Sequence, residues 1–256
     1  MRIVVKVGTS TLAHASGLLN IRHTEALVKV WSDIKNAGHE LILVSSAATG
    51  LGVGKLQITR PQDITTKQAA AAVGQCELMY TYDRLFSAYN HTVAQMLLTW
   101  EDFDHESRLR NLRSTLERLL ELGAIPIINE NDSVATEEYS VGDNDTLSAL
   151  VAKCVHADLL VLLSDIDGLY TADPRTHADA RLIETVETVT PEVEQLAGGA
   201  GSSLGTGGMT TKIVAAKMAT RAGVEMVIAN GAHAECLYDI VEGKSVGTRF
   251  LAAKVQ

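Results

Sequence analysis

Short runs rich in Val, Ile and Leu give way repeatedly to longer segments with helical spacing, and this alternation constrains the chain more than any other feature. Residues 2–7 (Arg-Ile-Val-Val-Lys-Val) read as a strand stopped by Gly8. Residues 21–37 read as an amphipathic helix: Asn20 is placed to cap it, Leu27, Val30, Trp31 and Ile34 share a face, and Gly38 ends it. Glu40 to Ser45 is the next strand, then a helix around 67–89 and a strand at 92–98. The helix at 106–122 turns Leu109, Leu112, Leu116, Leu119 and Leu120 inward and stops at Gly123. A strand follows at Ile125 to Ile128, then a helix at 144–156 with Asn144 or Asp145 as its cap. Leu159 to Leu163 is apolar enough for a strand buried on both faces. Asp167-Gly168 is a hairpin turn signal. A helix at 209–222, a strand at Glu225 to Ala229, a helix at 234–242 and an edge strand at 246–252 complete the pattern.

Strands that alternate with helices predict an α/β fold with a parallel or mostly parallel sheet and helices on both faces. Nothing resembling a repeat or a linker divides the sequence, so a single domain with two lobes meeting near residue 150 is expected. Hydrophobic residues make up 46% of 256, enough for a sizeable core, while aromatics at 4% leave that core to Val, Leu, Ile and Ala. A net charge of −9 argues against a nucleic-acid footprint. Any anionic ligand must then be met by a few well-placed cations. Cys76, Cys154 and Cys236 are far apart and odd in number, which suits a reducing compartment rather than a disulfide framework or a zinc site. The start has no signal-peptide layout and no run approaches a membrane span, so a cytoplasmic protein without membrane contact is expected.

In open α/β sheets ligands bind beyond the carboxyl ends of the strands. Four polar or glycine-rich segments leave those ends. Lys6-Val-Gly-Thr-Ser10 can offer a charge and backbone N–H groups to a phosphate, or is a surface lysine before a turn. Ser45 to Lys55 carries alternating Gly50, Gly52 and Gly54, which fit either close backbone approach to a ligand or a flexible loop, and do not match G-x-G-x-x-G. Asn129-Glu-Asn-Asp132 and Gly142-Asp-Asn-Asp145 are dense in carboxylates and amides. Turns use such residues often, but carboxylates for an ammonium beside amides for a carboxylate also suit a zwitterionic amino acid. Ser164-Asp-Ile-Asp-Gly168 is the fourth. Further on, Gly198 to Gly208 holds six glycines and leads into Met209-Thr-Thr-Lys212. A helix start with a nearby lysine favours an anion, and ordering so much glycine costs entropy that a ligand would offset. The segment is not a Walker A loop. The eight histidines are scattered without ligand spacing and read as surface or packing residues.

Taken in order, these segments resemble the amino acid kinase family. The resemblance is carried by Val4-Val-Lys-Val-Gly-Thr-Ser10, Lys67-Gln68, Ala71-Ala-Val-Gly-Gln75, Gln95-Met-Leu-Leu-Thr99, Ile128-Asn-Glu-Asn-Asp132, Val141-Gly-Asp-Asn-Asp145, Leu163-Ser-Asp165, Gly168-Leu-Tyr170 and Gly205-Thr-Gly-Gly-Met-Thr-Thr-Lys212. The paired Asn-Glu-Asn-Asp and Gly-Asp-Asn-Asp motifs are those of its glutamate-phosphorylating branch. The resemblance implies a three-layer α/β/α sandwich over residues 1–256, with a glutamate-binding lobe at about 1–150 and a nucleotide-binding lobe at about 151–256. It implies transfer of a phosphoryl group from ATP to the γ-carboxylate of L-glutamate, as the first step of proline biosynthesis. Ser46, Asp132 and Asn144 fall where the family binds glutamate. Lys6, Gly8, Ser164, Asp165, Thr206, Gly207, Gly208, Met209, Thr210, Thr211 and Lys212 fall where it binds ATP. Lys6 and Lys212 take the positions credited with transition-state stabilisation, and Asp145 that of the residue orienting them. Mg²⁺ is expected to arrive with ATP rather than on protein ligands. The resemblance also implies a homodimer or homotetramer, with proline as a feedback inhibitor. Many members carry a C-terminal RNA-binding PUA domain, which is not expected here. The chain departs from the family at Ser46-Ala-Ala-Thr-Gly-Leu-Gly52, where Ala47 stands in place of a glycine. Two other readings are a kinase for N-acetylglutamate, aspartate, carbamate or UMP, and a non-catalytic amino-acid or nucleotide sensor on the same fold.

Overall fold

A computed structural model of the chain describes residues 1–135, 141–197 and 208–253. The strands are β1 (Arg2–Val7), β2 (Glu40–Ser45), β3 (Val93–Leu98), β4 (Ile125–Glu130), β5 (Leu159–Ser164), β6 (Thr185–Val186), β7 (Glu225–Asn230) and β8 (Thr248–Phe250). Between them lie α1 (Thr9–Leu12), α2 (Ile21–Asn36), α3 (Ala48–Leu56), α4 (Ile64–Ser87), α5 (Glu101–Asp104), α6 (Glu106–Glu121), α7 (Asn144–Cys154), α8 (Pro191–Leu196), α9 (Met209–Arg221) and α10 (Cys236–Val241). Among the described residues the strands form one eight-stranded sheet in the order β3-β4-β2-β1-β5-β7-β8-β6. Its paired neighbours run parallel except β7 and β8. This is the expected α/β sandwich.

Side chains alternate across a strand, so each central strand feeds two cores. Val4, Ile42, Ile128, Leu160 and Ile228 pack in one core with residues of α6, α7 and α9. Ile3, Val5, Leu43, Ile127, Val161 and Val227 pack in the other with residues of α2, α4 and α10. Leu159–Ser164 is buried throughout, as a strand covered on both faces must be. The cap of α2 is Asn20, whose side chain accepts from the His23 N–H, and Gly38 follows its end at φ +93°.

Four local expectations need correction. The glycine-rich Ser45–Lys55 segment is not a loop around a ligand, since Ala48–Leu56 is helical. Its glycines admit a neighbouring helix: a Cβ on Gly52 would lie 1.8 Å from the Ala70 carbonyl oxygen, and one on Gly74 would lie 1.7 Å from that of Ala48. The α7 cap is Asp143, not Asn144 or Asp145; its carboxylate accepts from the Thr146 N–H at 2.8 Å and the Thr146 hydroxyl at 2.9 Å. That leaves the next two side chains for other partners. Asp167-Gly168 makes no hairpin, because the chain continues to a bridge between Tyr170 and Leu182 before β6. Gly168 instead lets the backbone pass β8, where a Cβ would meet the Thr248 hydroxyl at 2.5 Å. The tail strand β8 is not at the edge, since the two-residue β6 pairs outside it.

Candidate active site

The alternation that builds the cores also aims the first candidate residue. Lys6 shares the face of Val4, so its side chain leaves β1 toward the layer of α7 and α9. There it meets Asp145, one residue into α7, with Nζ 2.7 Å from Oδ1. Lys212, in the first turn of α9, reaches the other oxygen, with Nζ 3.1 Å from Oδ2. The Thr211 hydroxyl lies 2.8 Å from the same Oδ2 and 2.9 Å from the Gly208 carbonyl oxygen. All three charged residues are buried: Lys6 is 8% exposed, Asp145 1% and Lys212 5%. Burial works to raise the Asp145 carboxyl, but the ammonium groups of Lys6 and Lys212 outweigh it and hold the group below the usual carboxylate range. Two cations on one carboxylate leave one positive charge in excess where water is scarce. Such a charge is costly until an anion joins it.

On one side of this cluster lies a cavity of about 470 Å³, lined among others by Ser164, Asp165, Gly168, Tyr170, Arg175, Gly208, Met209, Lys212 and Asn230. The Ser164 hydroxyl donates to Asp165 Oδ1 at 3.1 Å. Asp167 accepts from Asn230 Nδ2 at 2.8 Å and from the Tyr170 hydroxyl at 2.9 Å. Those bonds, Asn230 first, hold its carboxyl low. Gly8 precedes α1 beside Lys6, where a Cβ on it would stand 3.6 Å from Nζ. Thr210 turns elsewhere: its hydroxyl donates to the Ala197 carbonyl at 3.1 Å, and it lines a separate groove of about 560 Å³ with Lys153, Ile213, Lys217 and Arg221. Thr206 and Gly207 lie outside the described residues, as does most of the Gly198–Gly208 stretch.

On the other side, amides and hydroxyls are linked. Asn144 Nδ2 donates to the Ser46 hydroxyl at 2.9 Å and to Asn129 Oδ1 at 3.0 Å. Asn129 Nδ2 in turn donates to Gln75 Oε1 at 2.9 Å. Asp132 stands on the loop after β4. Burial, and then the charge of Glu130, push its carboxyl up to about 6. Ala47, directly after Ser46, is held at φ +87°, in the left-handed region that suits glycine. Lys6, Gly8, Ser46, Asp132, Asn144, Asp145, Ser164 and Asp165 therefore gather at the carboxyl edge of the sheet, around the ends of β1, β2, β4 and β5. This is where the chain reverses direction across the sheet, since β2 lies on one side of β1 and β5 on the other.

Several residues here escaped the sequence reading. Asn129 was visible in the polar cluster without a role, and Gln75 sits in a helix far away in sequence. Asn230 ends β7, outside the four segments that the sequence singles out. Among the described residues no three His, Cys, Asp or Glu form a group able to hold a metal ion. No helix of the described residues is long and apolar enough to cross a membrane.

The sheet order, the two helix layers and the buried lysine–aspartate–lysine cluster at the strand ends agree with a family comparison. A model of the amino acid kinase family matches residues 1–230, and the chain belongs to that family. Its fold is similar to that of a carbamate kinase from Giardia lamblia solved with AMP-PNP, at TM-score 0.69 and 17% identity over 98% of each chain. In sequence it is similar to glutamate 5-kinases. It is 57% identical to glutamate 5-kinase from Clostridium tetani (strain Massachusetts / E88), over 98% of this chain and 95% of that one. It is 52% identical to glutamate 5-kinase from Clostridium perfringens (strain 13 / Type A), over 99% of this chain and 96% of that one.

Proposed function

We propose that the chain is a phosphotransferase that moves the γ-phosphoryl group of ATP to the γ-carboxylate of L-glutamate, giving γ-glutamyl phosphate for proline synthesis. The observation that carries this reading is the buried pair of ammonium groups on Asp145, between a cavity and an amide cluster. The similarity to glutamate 5-kinases over nearly the whole length supports the acceptor.

The chemistry follows from charge. A carboxylate is ionised at neutral pH, so the nucleophile needs no general base. The difficulty is bringing it against an anionic triphosphate. Lys6 and Lys212 offset that repulsion and the charge that spreads over the transferring group. Asp145 positions both cations while nothing else neutralises them. Ser46, Asp132 and Asn144 hold glutamate: the Asp132 carboxylate and the Asn144 amide oxygen suit the ammonium, and the Ser46 hydroxyl suits a carboxylate. Ser164, Asp165, Gly8, Gly208, Met209 and Lys212 hold ATP, joined by Thr206 and Gly207. Thr211 acts through Asp145, and Thr210 through the Ala197 carbonyl. Residues up to about 150 form mainly the acceptor lobe and those beyond it the nucleotide lobe, with Lys6 and Gly8 reaching the nucleotide from the first.

Mg²⁺ fits this site as a passenger of ATP. Asp145 is engaged by two lysines, Asp167 by Asn230 and Tyr170, and Asp173 by Arg175, so of the cavity's carboxylates Asp165 would meet the ion. When bound, the ion would neutralise phosphate charge. The protein would work in the cytoplasm as a homodimer or homotetramer, with proline as a feedback inhibitor.

The test is glutamate-dependent formation of an acyl phosphate, trapped with hydroxylamine, with and without proline. Aspartate, N-acetylglutamate, carbamate and UMP serve as rival acceptors. Turnover of one of these in place of glutamate would refute the acceptor. Lys212→Ala is expected to lower kcat by about a hundredfold or more while glutamate KM changes little, because the lysine acts chiefly on the transition state. Near-normal turnover would remove Lys212 from the chemistry.

A further inference from the structure

One conspicuous motif remains without a role, the Ala71-Ala-Val-Gly-Gln75 run of α4. Gln75 is only 8% exposed, and it lies in the helix layer opposite to α7. We infer that Gln75 is a positioning residue for the acceptor pocket, fixing through Asn129 the orientation in which Asn144 and Ser46 meet the substrate's polar groups. The inference rests on the acceptor reading given above.

An amide side chain has a donor end and an acceptor end, and a partner must decide which faces where. Here the decision starts from a group with no choice. The Glu130 backbone N–H can only donate, and it donates to Asn129 Oδ1 at 2.9 Å. That oxygen therefore faces Asn144, whose near atom must be Nδ2, and the observed bond is 3.0 Å. The same Nδ2 donates to the Ser46 hydroxyl, so the Ser46 proton is left for another acceptor. Asn144 Oδ1 accepts no hydrogen bond among the described residues, and it is the end available to an ammonium group. Asn129 Nδ2 needs an acceptor of its own, and Gln75 Oε1 is that acceptor. Asn129 is 4% exposed, so losing the bond leaves a donor away from bulk water. The relay thus runs from α4, past the end of β4, to α7 on the other face of the sheet. Gln75 Nε2 is buried and has no hydrogen-bond partner among the described residues, which shows that the carbonyl end is the one in use.

Without Gln75 the Asn129 amide keeps a buried donor unmatched and turns to satisfy it, releasing Asn144. The pocket should then lose discrimination before it loses catalysis. The experiment compares wild type, Gln75→Met and Gln75→Asn. Methionine is close in volume but cannot accept, and asparagine keeps the amide but falls short of Asn129. Each is assayed with L-glutamate and with glutarate, which lacks the ammonium group. The expected result is a rise of roughly tenfold in glutamate KM, with kcat and ATP KM changed by less than about threefold. The kcat/KM preference for glutamate over glutarate should shrink by roughly the same tenfold. An equal fall with both acceptors, or an unchanged preference, would overturn the positioning role, since a merely structural residue weakens both alike. Loss of the native near-ultraviolet circular dichroism in both variants would overturn it too, leaving Gln75 a core residue. Wild-type enzyme inactive on glutamate would remove the acceptor reading itself, and the relay's role with it.

Discussion

Asp132 gives the proposed acceptor site a titration to test. Its carboxyl, pushed up to about 6 by burial and by Glu130, lies above the value near 3.9 of an unfolded chain. The folded state therefore holds this proton more tightly, and the group favours folding as pH falls through about 6 toward about 4. Above about 6 its ionised form is present at full cost. An ammonium group placed beside it reverses the preference, so glutamate binding near pH 6 should release a fraction of a proton. Calorimetry in buffers of different ionisation enthalpy reads that release directly. Asp132→Asn should abolish it and weaken glutamate binding by roughly tenfold or more, whereas a wild type that releases none would exclude Asp132 from the ammonium. Ala47 raises a question of strain. Its Cβ is held at φ +87°, a region where a non-glycine residue costs on the order of 1–3 kcal/mol. Glycine relieves that cost but loses more entropy on folding. Ala47→Gly is accordingly expected to raise the unfolding free energy by about 1 kcal/mol, measured by urea denaturation. A loss of stability would show that the Ala47 methyl contributes more packing than strain.

The elements act through how closely they approach. Helix α3 lies against α4 with no space for a Cβ at either crossing glycine. This contact fixes two parts of the proposed acceptor pocket together, since Ser46 precedes α3 and Gln75 follows Gly74 in α4. Gly74→Ala is expected to force the helices apart, costing about 3 kcal/mol. Glutamate KM should rise and ATP KM should hold, as the cavity proposed for the nucleotide is lined from other elements. Equal damage to both constants would mean that α3 and α4 support the whole site. Helix α7 shows the complementary device. Because Asp143 takes the cap, Asn144 and Asp145 present their side chains to opposite tasks, one to the amide relay and one to the lysines. Placing a carboxylate in the first turn also agrees with the helix dipole.

At the scale of the molecule, the proposed acceptor and nucleotide halves share one sheet. β1 pairs with β2 on one side and with β5 on the other, along nearly its full length. Asp145 adds a buried link between Lys6 at the end of β1 and Lys212 in α9. The halves should therefore unfold together. Fluorescence of Trp31, buried beside Tyr82 and Phe86 in the first half, should follow the same thermal transition as far-ultraviolet circular dichroism. Mg-ATP should raise both midpoints equally by mass action. Two separated transitions would show that the halves are independent units.

The sequence by itself determined the alternation of strands and helices, the layer order that follows from it, and the strand ends where polar residues collect. These are local quantities, set by side-chain periodicity and by residues such as Asn20 and Gly38. The motifs also located Lys6, Asp145 and Lys212. What the sequence left open was which side chains face one another. The glycines of Ala48–Leu56 read equally well as a ligand loop because nothing local reveals a helix crossing from residues 70–74. Sequence alone does not decide the cap of α7, since three capping-competent side chains stand in a row. The link from Gln75 to Asn129 spans 54 positions, and that from Asp145 to Lys212 spans 67. Only the tertiary structure brings them within reach, because parallel strands need long crossovers, and each crossover returns a distant segment to the same edge of the sheet.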